Sequence, residues 1–176
     1  MKNILVIVDM QNDFVDGSLA NEEGDKVVKN VVREINSKKY DYILVTLDTH
    51  FDDYLDTHEG KNLPVKHCLK NTDGWQLNKD VLANLKASNI EYKIYEKNTF
   101  GSFDYFDDLK AMENEIESFS FVGLCTDICV ISNALILRAK FPNIPMYCVE
   151  DACGGTTKEA HNAALLVMKS CQIYNK

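Results

Sequence analysis

Short, continuous apolar runs alternate along this chain with segments of helical periodicity, and this alternation restricts the fold more than any other feature. The run at residues 4–8 (ILVIV) is uniformly apolar, as in a strand buried on both faces. The predicted strands are residues 4–8, 42–47, 92–95, 119–124, 146–149 and 171–174. The predicted helices are residues 25–37, 75–88, 105–115 and 156–169, together with a helix that follows the fourth strand, contains Cys129 and closes at residue 140. This order predicts an α/β fold, a three-layer α/β/α sandwich with a mainly parallel sheet of about six strands.

Composition and charge narrow the class of protein further. The 176 residues fit one domain spanning residues 1–176. The formal net charge is -8 and no basic stripe is present, so we expect no nucleic-acid partner. The first apolar run is too short to cross a membrane and follows no signal peptide, so we expect no membrane association. The six cysteines are therefore expected to be reduced thiols in a cytoplasmic protein.

Polar residues follow the predicted strands at successive positions along the chain. Asp9, Asp48, Lys97 and Asp151 follow strands one, two, three and five, and Cys129 follows strand four. Because ligands in parallel sheets bind beyond the carboxyl ends of the strands, we expect these side chains to face a common site.

An aspartate, a lysine and a cysteine at such an edge suit nucleophilic catalysis. Cys129 is predicted one turn into a helix, where the helix dipole lowers the pKa of a thiol. Asp9, raised in pKa by burial, would transfer the proton, and Lys97 would supply fixed positive charge. The alternatives are a small buried hydrophobe for Cys129, a loop cap for Asp9 and a solvated surface lysine for Lys97.

The irregular stretch after the second strand contains metal-ligating residue types. Asp48 and His50 lie two residues apart, on one side of an extended chain, and His67 follows after a loop. One carboxylate and two imidazoles can hold a divalent ion such as zinc, iron or manganese. His58 and Glu59 lie between them and would add a ligand or a supporting contact. The alternative is a set of ordinary polar loop residues.

Four stretches of the chain together resemble the isochorismatase-like cysteine hydrolases, close to the nicotinamidase branch. The resemblance is carried by residues 9–14 (DMQNDF), 48–50 (DTH) with 63–68 (LPVKHC), 97–103 (KNTFGSF) and 123–130 (GLCTDICV). It implies a Rossmann-like sandwich and an enzyme that hydrolyses carbon–nitrogen bonds other than peptide bonds. Members of the family often self-associate, so a homo-oligomer is compatible with the resemblance.

The resemblance also implies roles for individual residues. Cys129 would be the nucleophile, Asp9 the general acid and base, and Lys97 the third member of the triad. The backbone N–H groups of Cys125 and Cys129 would form the oxyanion hole, after a cis peptide bond between Leu124 and Cys125. The metal, expected to be zinc with iron or manganese as alternatives, would be held by Asp48, His50 and His67, and the substrate pocket would include Phe14, Leu63 and Phe100.

The expected reaction is hydrolysis of a small amide through a thioester, with nicotinamide converted to nicotinate and ammonia as the leading candidate. Leu63 stands where the family has a tryptophan, which puts the substrate in question more than the reaction. A carbamoyl or ureido compound is the alternative substrate. A non-catalytic receiver-like or ligand-binding module is the remote alternative, which aspartyl-phosphate formation with a small phosphodonor would favour.

Overall fold

The computed structural model describes residues 1–176 and contains one six-stranded sheet in which every pairing is parallel. The strand order is β3-β2-β1-β4-β5-β6. The strands are β1 (Lys2–Val8), β2 (Tyr42–Asp48), β3 (Glu91–Lys97), β4 (Ile116–Leu124), β5 (Met146–Gly154) and β6 (Ile173–Asn175). The predicted α/β class and parallel sheet are confirmed.

Seven α-helices connect or flank the strands. They are α1 (Asn12–Val15), α2 (Gly24–Ile35), α3 (His58–Asn62), α4 (Lys79–Ala87), α5 (Phe106–Ala111), α6 (Ile131–Lys140) and α7 (Lys158–Ser170). Two 3-10 turns, Tyr54–Asp56 and Glu113–Glu115, and one π-helical turn, Thr126–Val130, complete the set.

Two apolar cores lie on opposite faces of the sheet. One contains Phe121 of β4 and Leu137 of α6, and the other contains Val31 of α2 and Leu85 of α4. Residues 4–8 of β1 are fully buried because the strand lies between both cores. Each large apolar side chain buried in this way contributes about 1.5–3 kcal/mol, so the two cores hold the strand ends in a fixed arrangement.

The helix predicted at residues 75–88 begins four residues later than expected. Asn78 caps α4, and its side-chain oxygen accepts hydrogen bonds from the backbone N–H groups of Asp80 and Val81. The residues before this cap are not part of the helix, and one of them contacts the end of β2. The indole of Trp75 donates to the hydroxyl of Thr49 at 2.9 Å, which ties this segment to the end of β2.

Strand five is longer than predicted, and this corrects the placement of Asp151. The register between β4 and β5 is irregular between Phe121 and Gly123, and β5 continues past the irregularity to Gly154. Asp151 therefore lies within the strand, where its carboxylate pairs with Arg33 at 2.8 Å. It is not part of the group of side chains at the carboxyl edge of β1 to β4.

Candidate active site

The carboxyl ends of four strands bring the predicted triad together. Asp9 directly follows β1, and Asp48 and Lys97 are the last residues of β2 and β3, paired opposite each other in the sheet. Cys129 lies in the π-helical turn between β4 and α6. All four side chains are buried, which excludes the solvated alternative for Lys97.

Lys97 lies between the other two members of the triad. Its Nζ is 2.6 Å from Oδ2 of Asp9 and 3.7 Å from Sγ of Cys129. The hydroxyl of Thr46 donates to Oδ1 of Asp9 at 2.6 Å. Both oxygens of the Asp9 carboxylate are therefore held, one by a cation and one by a hydroxyl, and the carboxylate cannot rotate freely.

Burial sets the charge states in the triad. It raises the pKa of Asp9, and the nearby Lys97 opposes this effect. Burial also acts to lower the pKa of Lys97, but the negative charges of Asp9 and Asp48 act to raise it, and the pKa is raised. Lys97 is therefore a permanent cation in this environment.

The expectation of a lowered thiol pKa at Cys129 is wrong for this structure. Burial raises the pKa of the thiol well above its usual value, and the positive charge of Lys97 only partly offsets that rise. The helix dipole lowers a thiol pKa only modestly and only near the first turn. Burial removes water from the sulfur itself, which disfavours the charged thiolate and raises the pKa. The resting group is the thiol, so its proton has to be removed during attack.

The turn that carries Cys129 has the backbone expected from the sequence. The peptide bond between Leu124 and Cys125 is cis, and Gly123 before it has φ 122. A Cβ atom at Gly123 would collide with the carbonyl oxygen of Val8, so only glycine lets β4 run this close to β1 here. The backbone N–H groups predicted for the oxyanion hole belong to Cys125, which directly precedes the turn, and to Cys129, which lies within it.

Two side-chain contacts that the sequence did not reveal tie this turn to α7 and to the residues just before it. The hydroxyl of Thr126 lies 2.8 Å from Nδ1 of His161. The carboxylate of Asp127 accepts from the backbone N–H of Thr156 at 2.8 Å and from its hydroxyl at 2.6 Å. The start of the turn is thus held by His161 of α7 and by Thr156 before that helix.

The three predicted metal ligands form one cluster with Glu59. Nε2 of His50 and Nε2 of His67 lie 3.0 and 3.4 Å from Oδ2 of Asp48. Oε1 of Glu59 lies 3.6 Å from the first imidazole nitrogen and 3.7 Å from the second. His58 is outside the cluster, with its ring nitrogen 3.4 Å from Nδ2 of Asn62 at the surface.

The spacing of these four donor atoms fits a shared divalent ion. All lie within 4.8 Å of one another. Ligand atoms about 2.0–2.1 Å from a tetrahedral ion lie roughly 3.3–3.4 Å apart, close to the separations found here. Nδ1 of His67 donates to the carbonyl of Val65 at 2.8 Å, which leaves Nε2 as the free donor atom, as is usual for metal-binding histidines.

Gln11 holds the backbone of Asp48 in place. Its side-chain amide donates to the carbonyl of Asp48 at 2.8 Å and accepts from the backbone N–H of Asp48 at 2.7 Å. A third bond runs from the same amide nitrogen to the carbonyl of Trp75 at 2.9 Å. Gln11 belongs to the opening motif, but its role in fixing the end of β2 required the structure.

A cavity of about 690 Å³ adjoins both the triad and the cluster. All three predicted pocket residues, Phe14, Leu63 and Phe100, line it. Cys129, Cys125, Asp48, Glu59, His67, Leu19 and Ile128 also contribute to its wall. A larger polar groove of about 940 Å³ lies beside it but contains no residue of the triad or of the cluster.

The chain belongs to the isochorismatase domain family, whose model matches residues 3–174. It is 29% identical over 173 residues to an uncharacterized isochorismatase family protein, PncA, of Bacillus subtilis (strain 168), covering 94% of this chain and 93% of the relative. No helix of the structure combines the length and apolarity needed to span a membrane.

Solved structures show the same fold over nearly the whole chain. The crystal structure of nicotinamidase PncA from Bacillus subtilis superposes with a TM-score of 0.84 at 26% identity, covering 99% of each chain. The pyrazinamidase of Pyrococcus horikoshii in complex with zinc gives a TM-score of 0.76 at 27% identity, covering 100% of this chain and 99% of the other.

The substitution Glu59→Gln tests whether Glu59 belongs to the metal cluster. It removes one anionic donor, so we expect affinity for zinc to fall by at least about tenfold. The measurement is competition with a chromogenic chelator, supported by metal analysis after dialysis. The matched control is Glu22→Gln, which changes a carboxylate of the same cavity wall outside the cluster. Equal zinc affinity in Glu59→Gln and wild type would contradict the assignment.

Proposed function

We propose that this chain hydrolyses a small, neutral amide through a cysteine thioester, with nicotinamide as the leading candidate. The observation that carries the proposal is the buried contact of Lys97 with both Asp9 and Cys129, at a cavity that also meets the metal cluster. The chain is a hydrolase of carbon–nitrogen bonds other than peptide bonds, in keeping with its family and its nicotinamidase relatives.

In the first half of the reaction, Sγ of Cys129 attacks the amide carbon while its proton passes to the carboxylate of Asp9. The raised pKa of the thiol requires this transfer to accompany formation of the carbon–sulfur bond. The N–H groups of Cys125 and Cys129 would stabilise the oxyanion. Asp9 then returns the proton to the nitrogen as the carbon–nitrogen bond breaks, which releases ammonia and leaves a thioester.

In the second half, Asp9 takes a proton from a water molecule whose oxygen attacks the thioester carbon. The carbon–sulfur bond breaks, the proton returns to the sulfur of Cys129, and the product is a carboxylic acid. Lys97 keeps its proton throughout and stabilises the negative charge as it moves between Asp9 and the sulfur. The overall reaction consumes one water molecule and needs no oxidant or second cofactor.

A divalent metal fits the cluster of Asp48, His50, Glu59 and His67. Zinc is the leading candidate, with iron and manganese as alternatives, and the zinc complex of the Pyrococcus horikoshii pyrazinamidase supports this choice. When bound, the ion supplies a Lewis acid that orients a donor atom of the substrate, such as a ring nitrogen. The protein residues carry out the proton transfers described above.

The charges around the cavity favour a neutral substrate. Its wall contains the carboxylates of Glu22, Asp48 and Glu59 but no lysine or arginine. A carbamoyl amino acid would bring its own carboxylate into this wall, where the only cationic partner is the proposed divalent ion, whose charge is already balanced by the carboxylates of Asp48 and Glu59. The carbamoyl alternative is therefore disfavoured relative to an uncharged amide.

Replacement of the sulfur tests the nucleophile and the substrate together. With zinc-loaded protein, we expect ammonia release from nicotinamide by wild type and a loss of at least about a thousandfold in Cys129→Ala, because no covalent intermediate can form. Cys171→Ala is the matched control, since Cys171 lies at the end of α7 outside the cavity. N-carbamoylglycine is the comparison substrate. Full activity of Cys129→Ala would refute the proposal, and preference for N-carbamoylglycine would transfer it to the other substrate class.

The dependence of kcat/KM on pH tests the role of Asp9. Asp9 must be ionised to accept the thiol proton, and burial raises its pKa above the ordinary value of 3.8. Activity should therefore be lost as the pH falls through a midpoint above 3.8. In Lys97→Met the cation that lowers this pKa is gone, so the midpoint of the residual activity should move to higher pH.

The matched control for this titration is Lys93→Met, which changes an exposed lysine of the same strand. We expect its profile to follow wild type. A midpoint at or below the ordinary aspartate value, or a downward shift in Lys97→Met, would contradict the assignment of Asp9 as the base.

A further inference from the structure

The side-chain amide of Asn133 is fully buried on α6 and has all of its hydrogen-bonding capacity used. Its Nδ2 donates to the carbonyl of Cys129 at 2.8 Å and to the carbonyl of Phe100 at 3.1 Å. Its Oδ1 accepts from the backbone N–H of Ser102 at 3.2 Å and from the hydroxyl of Tyr105 at 2.8 Å. An asparagine side chain has two donors and two lone pairs, and each has a partner here.

These four bonds connect the turn of the predicted nucleophile to the segment at residues 100–105. This segment follows Lys97 and β3, precedes α5, and has no α-helix or strand of its own. Phe100 of this segment lines the same cavity as Cys129. The backbone of the segment therefore positions part of the wall of the cavity that Cys129 also lines.

Tight packing on α6 also indicates that residues 100–105 are held in a fixed position. A Cβ atom at Gly101 would lie 3.3 Å from the backbone carbonyl carbon of Ser132 and would also meet the flexible end of the Ile136 side chain, so the segment passes close to the helix. The neighbours of Asn133 on the helix, Ala134 and Leu137, are buried in the apolar core. A polar amide at such a position costs free energy unless it is hydrogen-bonded, and asparagine is a poor residue for the interior of a helix.

We propose that Asn133 is a positioning residue, which fixes the segment carrying Phe100 relative to Cys129 and thereby sets the affinity for substrate. The inference rests on the proposed function, because it takes Cys129 as the attacking group. Asn133 acts through the backbone of residues 100–105 and does not touch the reacting atoms. Its loss should weaken substrate binding more than it slows the chemical step.

Two substitutions separate the bond within the helix from the bonds to the segment. In Asn133→Ser the hydroxyl can still bond to the carbonyl four residues earlier, that of Cys129, but is too short to reach Phe100. Asn133→Ala removes every bond. Tyr105→Phe is the matched control, because it removes one donor to Oδ1 and leaves both bonds from Nδ2 in place.

The first measurement is hydrogen–deuterium exchange on the zinc-loaded protein. In Asn133→Ser and Asn133→Ala we expect amides within residues 100–105 to exchange about tenfold faster, because the segment loses its anchors. Amides of α6 and β4 should exchange as in wild type, and Tyr105→Phe should show a smaller effect on the segment. Unchanged exchange in residues 100–105, or faster exchange spread over α6 and β4, would overturn the proposal.

The second measurement is steady-state hydrolysis of nicotinamide by the same variants. We expect KM to rise about tenfold in Asn133→Ser and Asn133→Ala while kcat changes by less than about threefold. The rate at which iodoacetamide alkylates Cys129 should stay at the wild-type value. A fall in kcat with KM unchanged would overturn the proposal. If wild type itself hydrolyses no amide, the proposed function fails, and the exchange experiment still decides the role of Asn133 in holding the segment.

Discussion

The buried ion pair between Lys97 and Asp9 is the interaction on which the rest of the site depends. Its side chains are 1% and 0% exposed, and the charged atoms lie 2.6 Å apart. An unpaired charge at such depth costs several kcal/mol, so each group is stable only with the other present. The parallel sheet supplies this geometry, because Asp9 follows β1 and Lys97 ends β3, two strands away at the same edge.

Asp48 joins the triad to the metal cluster. Its Oδ1 lies 3.6 Å from Nζ of Lys97, and its Oδ2 faces the imidazoles of His50 and His67. Imidazole contacts, with help from the cation, hold the pKa of Asp48 below its usual range despite burial. A single carboxylate therefore lies between the cation of Lys97 and the metal cluster, and the two parts of the site share one electrostatic environment. Substitutions in the cluster should therefore also change the electrostatic environment of the triad.

The sequence was enough to predict the residues whose position follows from the end of a strand. It did not reveal properties that depend on burial or on contacts between distant segments. The apolar run before Asp9 was enough to place that carboxylate at the edge of the sheet. Asn133 looked like an ordinary polar residue of a helix, since nothing local shows that distant groups converge on it, whereas Glu59 was already named as a further ligand or supporting contact. The thiol pKa of Cys129 was predicted in the wrong direction because burial is a property of the folded chain. Asp151 was misplaced because an irregular register extends β5.

The central claim is that Asp9 and Lys97 act on Cys129 as one unit, and a double-mutant cycle tests it most directly. The measurement is kcat/KM for nicotinamide with wild type, Asp9→Asn, Lys97→Met and the double variant, all zinc-loaded. Residues that act as a unit are strongly non-additive, so the double variant should be about as impaired as the worse single variant. Losses that multiply in the double variant would contradict the account, because Asp9 and Lys97 would then act independently.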